Sequence, residues 1–592
     1  MRPVETGTTF LHAPDRRPRA DTVAEETESE KQSPMKWPMG EPTVPPTHPR
    51  AAVYDGLFLA TVIVLSCLPY TRGLGLYSDD WGFVASMHAA DGSFRSLLAS
   101  LMVAMHARPV QGIVLAGLYW FFGLNIFAYH VVNCAVLAAT VLLFHHSLRA
   151  LGALRPIALV VPLVFGLLPH YSTDRFWIAA FQANVCVLLY FVSLYADIRF
   201  VGRSDRRGWQ WKALGTVALI GSVLAYEVTA ALFLVNVIVL LYVTRVTRDG
   251  AWAREAMPTV LAVASNVVAL ALAVGYKLTT TERVDVAGGY LLRALRIVRE
   301  GVPVHFGEYG LALPVRVGQV LRDYPDALAI GVSVLIGAIV GTYVVLAVRR
   351  PGVRLERGRG WPLVILVGAV LFVAGYGVSL TTWEIGFHMT GPNNRTANGA
   401  AIGVAWVFVG VIGWVSTLPS SERARWSTFA GLVALLSASG SLVTSAVAGF
   451  WEAAARQQQV HIAAIRQQLP TLPPGATLLL DGICPFVGPA PVLATDWDMT
   501  GMLRLAYPDQ SLSGDVVKPN TQVTGDGVRT QLFDDWINVH PYGDRLMIFH
   551  AVTGDVVTLD GEEAARRYFT EISVPSRPAC PPYTDGDGVE VF

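Results

Sequence analysis

Residues 54–83 read YDGLFLATVIVLSCLPYTRGLGLYSDDWGF. The part from 54 to 71 is apolar and long enough to cross a bilayer, which takes about 20 residues within a range of roughly 17–25. Directly beyond it, Asp79 and Asp80 stand between Tyr77-Ser78 and Trp81-Gly82-Phe83. Carboxylates at the mouth of a membrane helix are costly to place, so they tend to mark function. On spacing alone the same pair reads equally well as a solvated loop, and Trp81 as a member of an interfacial aromatic belt.

Outward from this stretch the apolar runs recur. Clear spans are 127–148, 178–198, 256–276, 326–347, 361–381, 399–418 and 427–449, while 156–169 is short and 212–245 is too long for one helix. The chain of 592 residues is 53% hydrophobic and 15% charged, well below the roughly one-quarter charged of a soluble domain. Its formal net charge of zero speaks against nucleic acid as a partner. The first 50 residues are polar, have no apolar core, and read as a disordered cytoplasmic tail.

Lysine and arginine collect in short cytoplasmic loops. If 156–169 spans and 212–245 is two short helices meeting at Tyr226-Glu227, every cluster falls on one side. Those clusters are Arg149 with Arg155, Arg199 to Lys212, Arg245 to Arg254, Arg349 to Arg359, and Arg423 with Arg425. The reading is therefore an α-helical polytopic membrane protein of eleven spans, with residues 51–450 as its membrane domain and the N-terminus inside. The outer face receives 73–126, 170–177, the break at Tyr226-Glu227, 277–325, 382–398 and the tail.

That tail, 451–592, carries the signals of a small extracytoplasmic α/β domain. A helix is expected from Trp451 to Leu469, a buried strand from Ala476 to Leu480, a hairpin over 545–559 and a short helix over 561–570. Outside the cell Cys484 and Cys580 become natural disulfide partners. Asp481, Asp496, Trp497 and Asp498 are candidates for a sugar-facing cluster, or else a solvated turn.

Several polar residues share the outer side with the acidic pair: His170, Asp174 and Arg175 after the third span, then Glu227, Lys277, Glu384, His388 and Arg395. Each alone reads as readily as a helix-end anchor. Arg395 suits a donor phosphate, because a guanidinium grips it with two parallel hydrogen bonds. Asn394-Arg395-Thr396 also has the form of a glycosylation sequon, a pattern that arises by chance. No phosphate-binding glycine loop or long cytoplasmic loop offers a place for a nucleotide sugar. A polyprenyl-phosphate sugar, with its tail in the bilayer and its head group outside, fits this layout, with an extracytoplasmic acceptor.

The order of first span, Asp79-Asp80-Trp81, amphipathic outer loop, His106-Ala107-Arg108-Pro109 and Phe122-Gly123-Leu124-Asn125 resembles the GT-C membrane glycosyltransferases. It is closest in style to bacterial relatives of the protein O-mannosyltransferases, over residues 54–450. The resemblance implies that a carboxylate of the pair is the catalytic base, that Arg108 lies near the substrate, and that the anomeric centre inverts. Asp-Asp stands where several relatives have Asp-Glu, and Tyr226 where relatives often carry a lysine. No cofactor is required, though either carboxylate also suits a divalent cation such as Mg²⁺ or Mn²⁺. A transporter or flippase of lipid-linked saccharide, and a polymerase or ligase of surface polysaccharide, are the alternatives, along with an inert membrane scaffold bearing a binding module.

Overall fold

The computed structural model describes residues 49–202, 206–247, 257–280, 289–348, 360–380, 387–533, 536–574, 576 and 578–581. The N-terminal tail up to residue 48, Glu384, Arg203, Arg248, Arg254 and the arginines of 349–359 lie outside the described residues.

Eleven helices stand where the spans were expected: Pro49–Cys67, Ile126–Ala150, Arg155–Leu167, Phe181–Val201, Arg206–Ala225, Leu232–Thr247, Met257–Thr280, Ala327–Val348, Gly360–Gly375, Asn398–Val415 and Glu422–Gln468. Six helices are long and apolar enough to cross a membrane by length and composition. The long run does divide: a single 3-10 turn, Glu227–Thr229, separates two short helices. Two buried ion pairs tie the ends remote from Asp79. Arg155 grips Asp55 with two hydrogen bonds of 2.7 and 2.9 Å, and Tyr343 donates a third at 2.7 Å. Lys212 is also inside the bundle rather than in a loop, 2.8 Å from Asp197 and 2.6 Å from Asn266. Both carboxylates are fully partnered, as burying a charge demands.

One expectation fails at the tail boundary. The last span and the helix after Trp451 are a single helix, Glu422–Gln468, of 47 residues, about 70 Å long at 1.5 Å per residue. No proline interrupts it, and residues 452–468 are rich in good helix formers such as Ala, Gln and Arg. It stops at Leu469, before Pro470.

The first outer loop folds as three helices, Asp79–His88, Phe94–Met105 and Pro109–Phe122. In the tail, β1 (Thr477–Asp481) lies parallel to β4 (Ser513–Val516) and β8 (Leu546–His550), with β9 (Val556–Thr558) antiparallel to β8. β2 (Phe486–Val487) and β3 (Ala490–Pro491) form a small pair. A second sheet runs β5 (Gln522–Thr524), β6 (Gly527–Phe533) and β7 (Trp536–His540). The expected strand and hairpin are thus β1 and β8–β9, and the expected short helix is Glu562–Tyr568. Cys484 and Cys580 are joined as a disulfide.

The tail rests directly on the first outer loop. Its helix Asp496–Ala506, opened by a capping box of Thr495 and Asp498, packs on the Asp79 helix. A side chain added at Gly501 would sit 2.4 Å from the backbone of Trp81, so only glycine permits this approach. Trp81 is buried under that contact, with 6% of its surface exposed, and belongs to no interfacial belt.

Candidate functional site

The two adjacent aspartates do different work. Asp80 is buried, and both its oxygens are occupied: one accepts the Tyr77 amide at 3.0 Å, the other the Ala179 amide at 2.7 Å. Burial raises its carboxyl well above the usual range, against the pull of these amides. Asp80 therefore pins the loop to the start of the Phe181–Val201 helix. Tyr77 completes the anchor. Its hydroxyl donates to the Trp451 carbonyl at 2.8 Å, and its own carbonyl accepts the Trp177 indole N–H at 2.9 Å.

Ser78, between anchor and helix, has φ of 46° and is the sole non-glycine with positive φ among the described residues. Such a backbone persists only when its surroundings over-determine it, and strain of this kind clusters at working sites. The helix then opens on Asp79. This carboxylate is half-buried, and no hydrogen bond to it is seen among the described residues. Burial raises its carboxyl, opposed by the positive charges of Arg395 and then Arg108.

Arg395 lies in the 3-10 turn Pro392–Ala397, which leads into the helix Asn398–Val415. Its guanidinium stacks 4.9 Å above the Trp177 ring. That stacking orients the group without consuming its N–H donors. The partial positive charge of the helix N-terminus adds to it.

Arg108 stacks 4.7 Å over the Tyr226 ring and meets Glu227 at 2.8 Å. Lys277 meets the other oxygen of Glu227 at 2.8 Å. Burial works to raise this carboxyl, but Arg108 and Lys277 outweigh it and hold it down at about 2. Glu227 is thus held as the bridge between two cations. Among the described residues Arg108 and Lys277 meet Glu227, while Arg395 acts on both Asp79 and the buried Asp174.

Other expected site residues are drawn elsewhere. Arg175 is buried and donates to the carbonyls of Gly166 and Leu168, both at 2.9 Å, capping the helix Arg155–Leu167. His170 is buried against His305, whose carbonyl it contacts at 3.0 Å, and burial lowers its ring to about 4. Burial therefore favours its neutral form. His388 contributes a backbone carbonyl that accepts from Asn394 at 3.2 Å. The same two N–H groups of Asn394 also face the carbonyls of His170 at 2.8 Å and Met389 at 3.0 Å. With 1% exposed it is no glycosylation site. In the tail, Asp481 accepts from the Tyr568 hydroxyl and Asp498 serves the capping box, so both leave the supposed sugar cluster.

A divalent cation between the two aspartates does not fit these residues. Both oxygens of Asp80 are taken by backbone amides, and one half-buried carboxylate among three cations is a poor hard-ion site. Sequence reading missed Ser78, Trp177 and the stacking of Arg108 on Tyr226. Trp177 lies just after Asp174-Arg175 and was visible as an aromatic beside charge.

No protein-family model matches the chain, and no curated protein matches it. Among solved structures it is similar to ArnT from Cupriavidus metallidurans bound to undecaprenyl phosphate. The identity is 15%, over 78% of this chain and 90% of that one, with a TM-score of 0.33. The apo state of the same protein gives 15%, 75% and 86%, with a TM-score of 0.32. Superposition at that level is loose, and the site stands on its own side chains.

Proposed function

We propose that this chain is a membrane glycosyltransferase that moves a sugar from a polyprenyl-phosphate donor to an acceptor hydroxyl outside the cytoplasm. One observation carries the reading: Asp79, a half-buried carboxylate without a hydrogen-bond partner among the described residues, opens a helix behind a strained serine and is flanked by Arg395 and Arg108.

Asp79 takes the proton of the acceptor hydroxyl as its oxygen attacks the anomeric carbon. The new C–O bond forms as the bond from that carbon to the phosphate oxygen breaks. The phosphate leaves with its electron pair, and Arg395 meets the charge that develops there, backed by Arg108 and Lys277. A single base on one face and the phosphate on the other give inversion. The raised carboxyl of Asp79 suits the role, since a base is most effective when its pKa approaches the working pH. The exposed apolar residues Leu272 and Tyr276 precede Lys277 on the same helix, a surface along which a polyprenyl chain can lie in the bilayer.

The test is transfer by the purified protein in lipid nanodiscs from radiolabelled polyprenyl-phosphate mannose, glucose and arabinose to native cell-envelope acceptors. Label should reach the acceptor with wild-type protein and Asp80→Asn that has inserted stably, and fail with Asp79→Asn. Equal transfer by Asp79→Asn would remove the assignment. The transporter alternative loses support here, because the ion pairs within the bundle, Asp55–Arg155 and Asp197–Lys212, are closed on themselves.

A further inference from the structure

One face of the tail is built unlike the rest of its surface. In β7, Trp536, Asn538 and His540 alternate along the strand and so project from the same side. Thr530 of β6 lies opposite Asn538. These side chains converge on Asp515, whose Oδ2 accepts from Thr530 at 2.6 Å, from His540 at 3.1 Å and from Asn538 at 3.2 Å. The start of the Asp496–Ala506 helix closes the other side: the Trp497 and Trp536 rings meet edge to face at 5.7 Å.

This face combines what a stable core avoids. Trp536 leaves 49% of its surface exposed. Asp496 Oδ1 and the Trp497 indole N–H, both enclosed although their residues are half-buried, have no partner among the described residues. Burial raises the Asp496 carboxyl, and the charge of Asp515 raises it further. An acceptor and a donor thus lie unmatched on neighbouring residues, beside an open aromatic surface. A hydroxyl-rich ligand answers both kinds of atom, one hydroxyl donating to Asp496 and another accepting from Trp497, while an apolar ring face stacks on Trp536. Fatty or peptide ligands answer less of this set: a lipid chain leaves the polar atoms unmet, and an acidic peptide meets two carboxylates.

Position gives the face its meaning. A side chain at Gly82 would lie 3.7 Å from the Trp497 carbonyl, and Gly82 follows Asp79 by three residues on the same helix face. Gly82 is about 4.5 Å further along the helix axis than Asp79, and the Trp497 backbone packs against it.

We propose that this face, formed by Asp496, Trp497, Asp515, Trp536, Asn538 and His540, binds the acceptor, and that the acceptor is a carbohydrate. The proposal rests on the transferase reading for its role and on the tail alone for the binding. Saccharide residues further along the chain dock on the tail while the terminal hydroxyl reaches Asp79.

The experiment measures binding separately from transfer. Full-length protein in nanodiscs is titrated, by tryptophan fluorescence and by calorimetry, with arabino-, galacto-, manno- and gluco-oligosaccharides of four to six units. At least one series should bind. Trp536→Ala and Asn538→Ala should each weaken it about tenfold, a loss typical of removing one well-placed contact. Trp536→Phe should restore most of it, and Val539→Ala, on the opposite strand face, should leave it unchanged. In the transfer assay Trp536→Ala should raise acceptor KM with kcat held. If no series binds, or if binding ignores Trp536→Ala and Asn538→Ala, the proposal falls. If oligosaccharides bind in this pattern but Asp79→Asn leaves transfer intact, the binding face stands and the catalytic assignment falls.

Discussion

Two polar regions meet along the Asp79 helix, and they are opposites. Around Asp79 three cations, Arg108, Lys277 and Arg395, are gathered among the carboxylates Asp79, Glu227 and Asp174. On the tail the excess is anionic and aromatic, with Asp496 and Asp515 beside Trp497 and Trp536. A phosphate is drawn to the first and repelled by the second, whereas a hydroxyl-rich ring suits the second. On the proposed reading the donor phosphate belongs to the first region and the acceptor to the second, and the packing at Gly501 sets them side by side.

The largest effect expected is on the first region. Asp79→Asn should lower kcat by about 10²–10⁴-fold, the usual worth of a positioned general base, while its melting temperature stays near that of wild type. Asp80→Asn should reverse the pattern, lowering melting temperature because a buried amide loses its acceptor. If Asp79→Asn retained full kcat, the division into donor and acceptor regions would lose its centre.

Next in size is the phosphate partner. Arg395→Ala should lower kcat by about 10²–10³-fold, as removal of one preorganised charge stabiliser does. Arg395→Lys should recover part of it, because lysine keeps the charge but loses the planar stack on Trp177. Acceptor KM should be unaffected by either change. A shift in acceptor KM alone would put Arg395 in the wrong region.

Separation of the regions comes third. Gly501→Ala places a methyl group against the Trp81 backbone and should cost about 1–3 kcal/mol, as overpacking does. Acceptor KM should rise as the tail lifts. Unchanged kinetics in the Gly501→Ala protein would mean that the contact does no more than hold the tail.

The pH profile sharpens the picture with a smaller change. Asp79 must be ionised to act, and burial raises its pKa. kcat/KM should therefore rise with pH along an acid limb displaced upward from that of an ordinary aspartate. Arg395→Ala removes a charge that opposes the shift, so the limb should move further upward. Glu227, held at about 2 by its two cations, should contribute nothing to this limb.

The smallest effect on transfer is expected from Cys484→Ser. Opening a disulfide across a sequence separation of 96 residues should cost the tail about 3–5 kcal/mol by chain entropy. Melting of the tail should fall well before activity at moderate temperature does.

Periodicity and charge made the bundle legible. Apolar runs of bilayer length, and arginines that had to share one side, placed the eleven helices and the break at Glu227 because lipid leaves a backbone few choices. Tail strands β1, β8 and β9 were readable for a like reason: apolar runs bounded by glycine and aspartate have one good conformation. The disulfide followed from sidedness. At Trp451 the reading failed, since nothing local marks where a helix leaves the membrane if no residue stops it.

Roles within the site needed the tertiary structure. Asp79 and Asp80 are identical neighbours in sequence, and only the position of the Ala179 amide makes one an anchor and leaves the other available. Arg175 and Arg395 looked alike as outer cations. Arg175 is buried, its Nη2 on two nearby carbonyls and its guanidinium over the Tyr171 ring, while Arg395 is half-buried on the Trp177 indole beside Asp79. Lys277 and Arg108 meet across 169 residues of chain only because Glu227 stands between them. The alternating Trp536-Ile537-Asn538-Val539-His540 was plain in the sequence, yet its meaning came from Asp515 and Trp497, which the fold brings from other elements. Sequence determined which segments form the apolar helices and where the chain divides between them. Which side chain does that chemistry was decided by which hydrogen bonds the fold had already satisfied, and that is a property of distances between residues far apart in the chain.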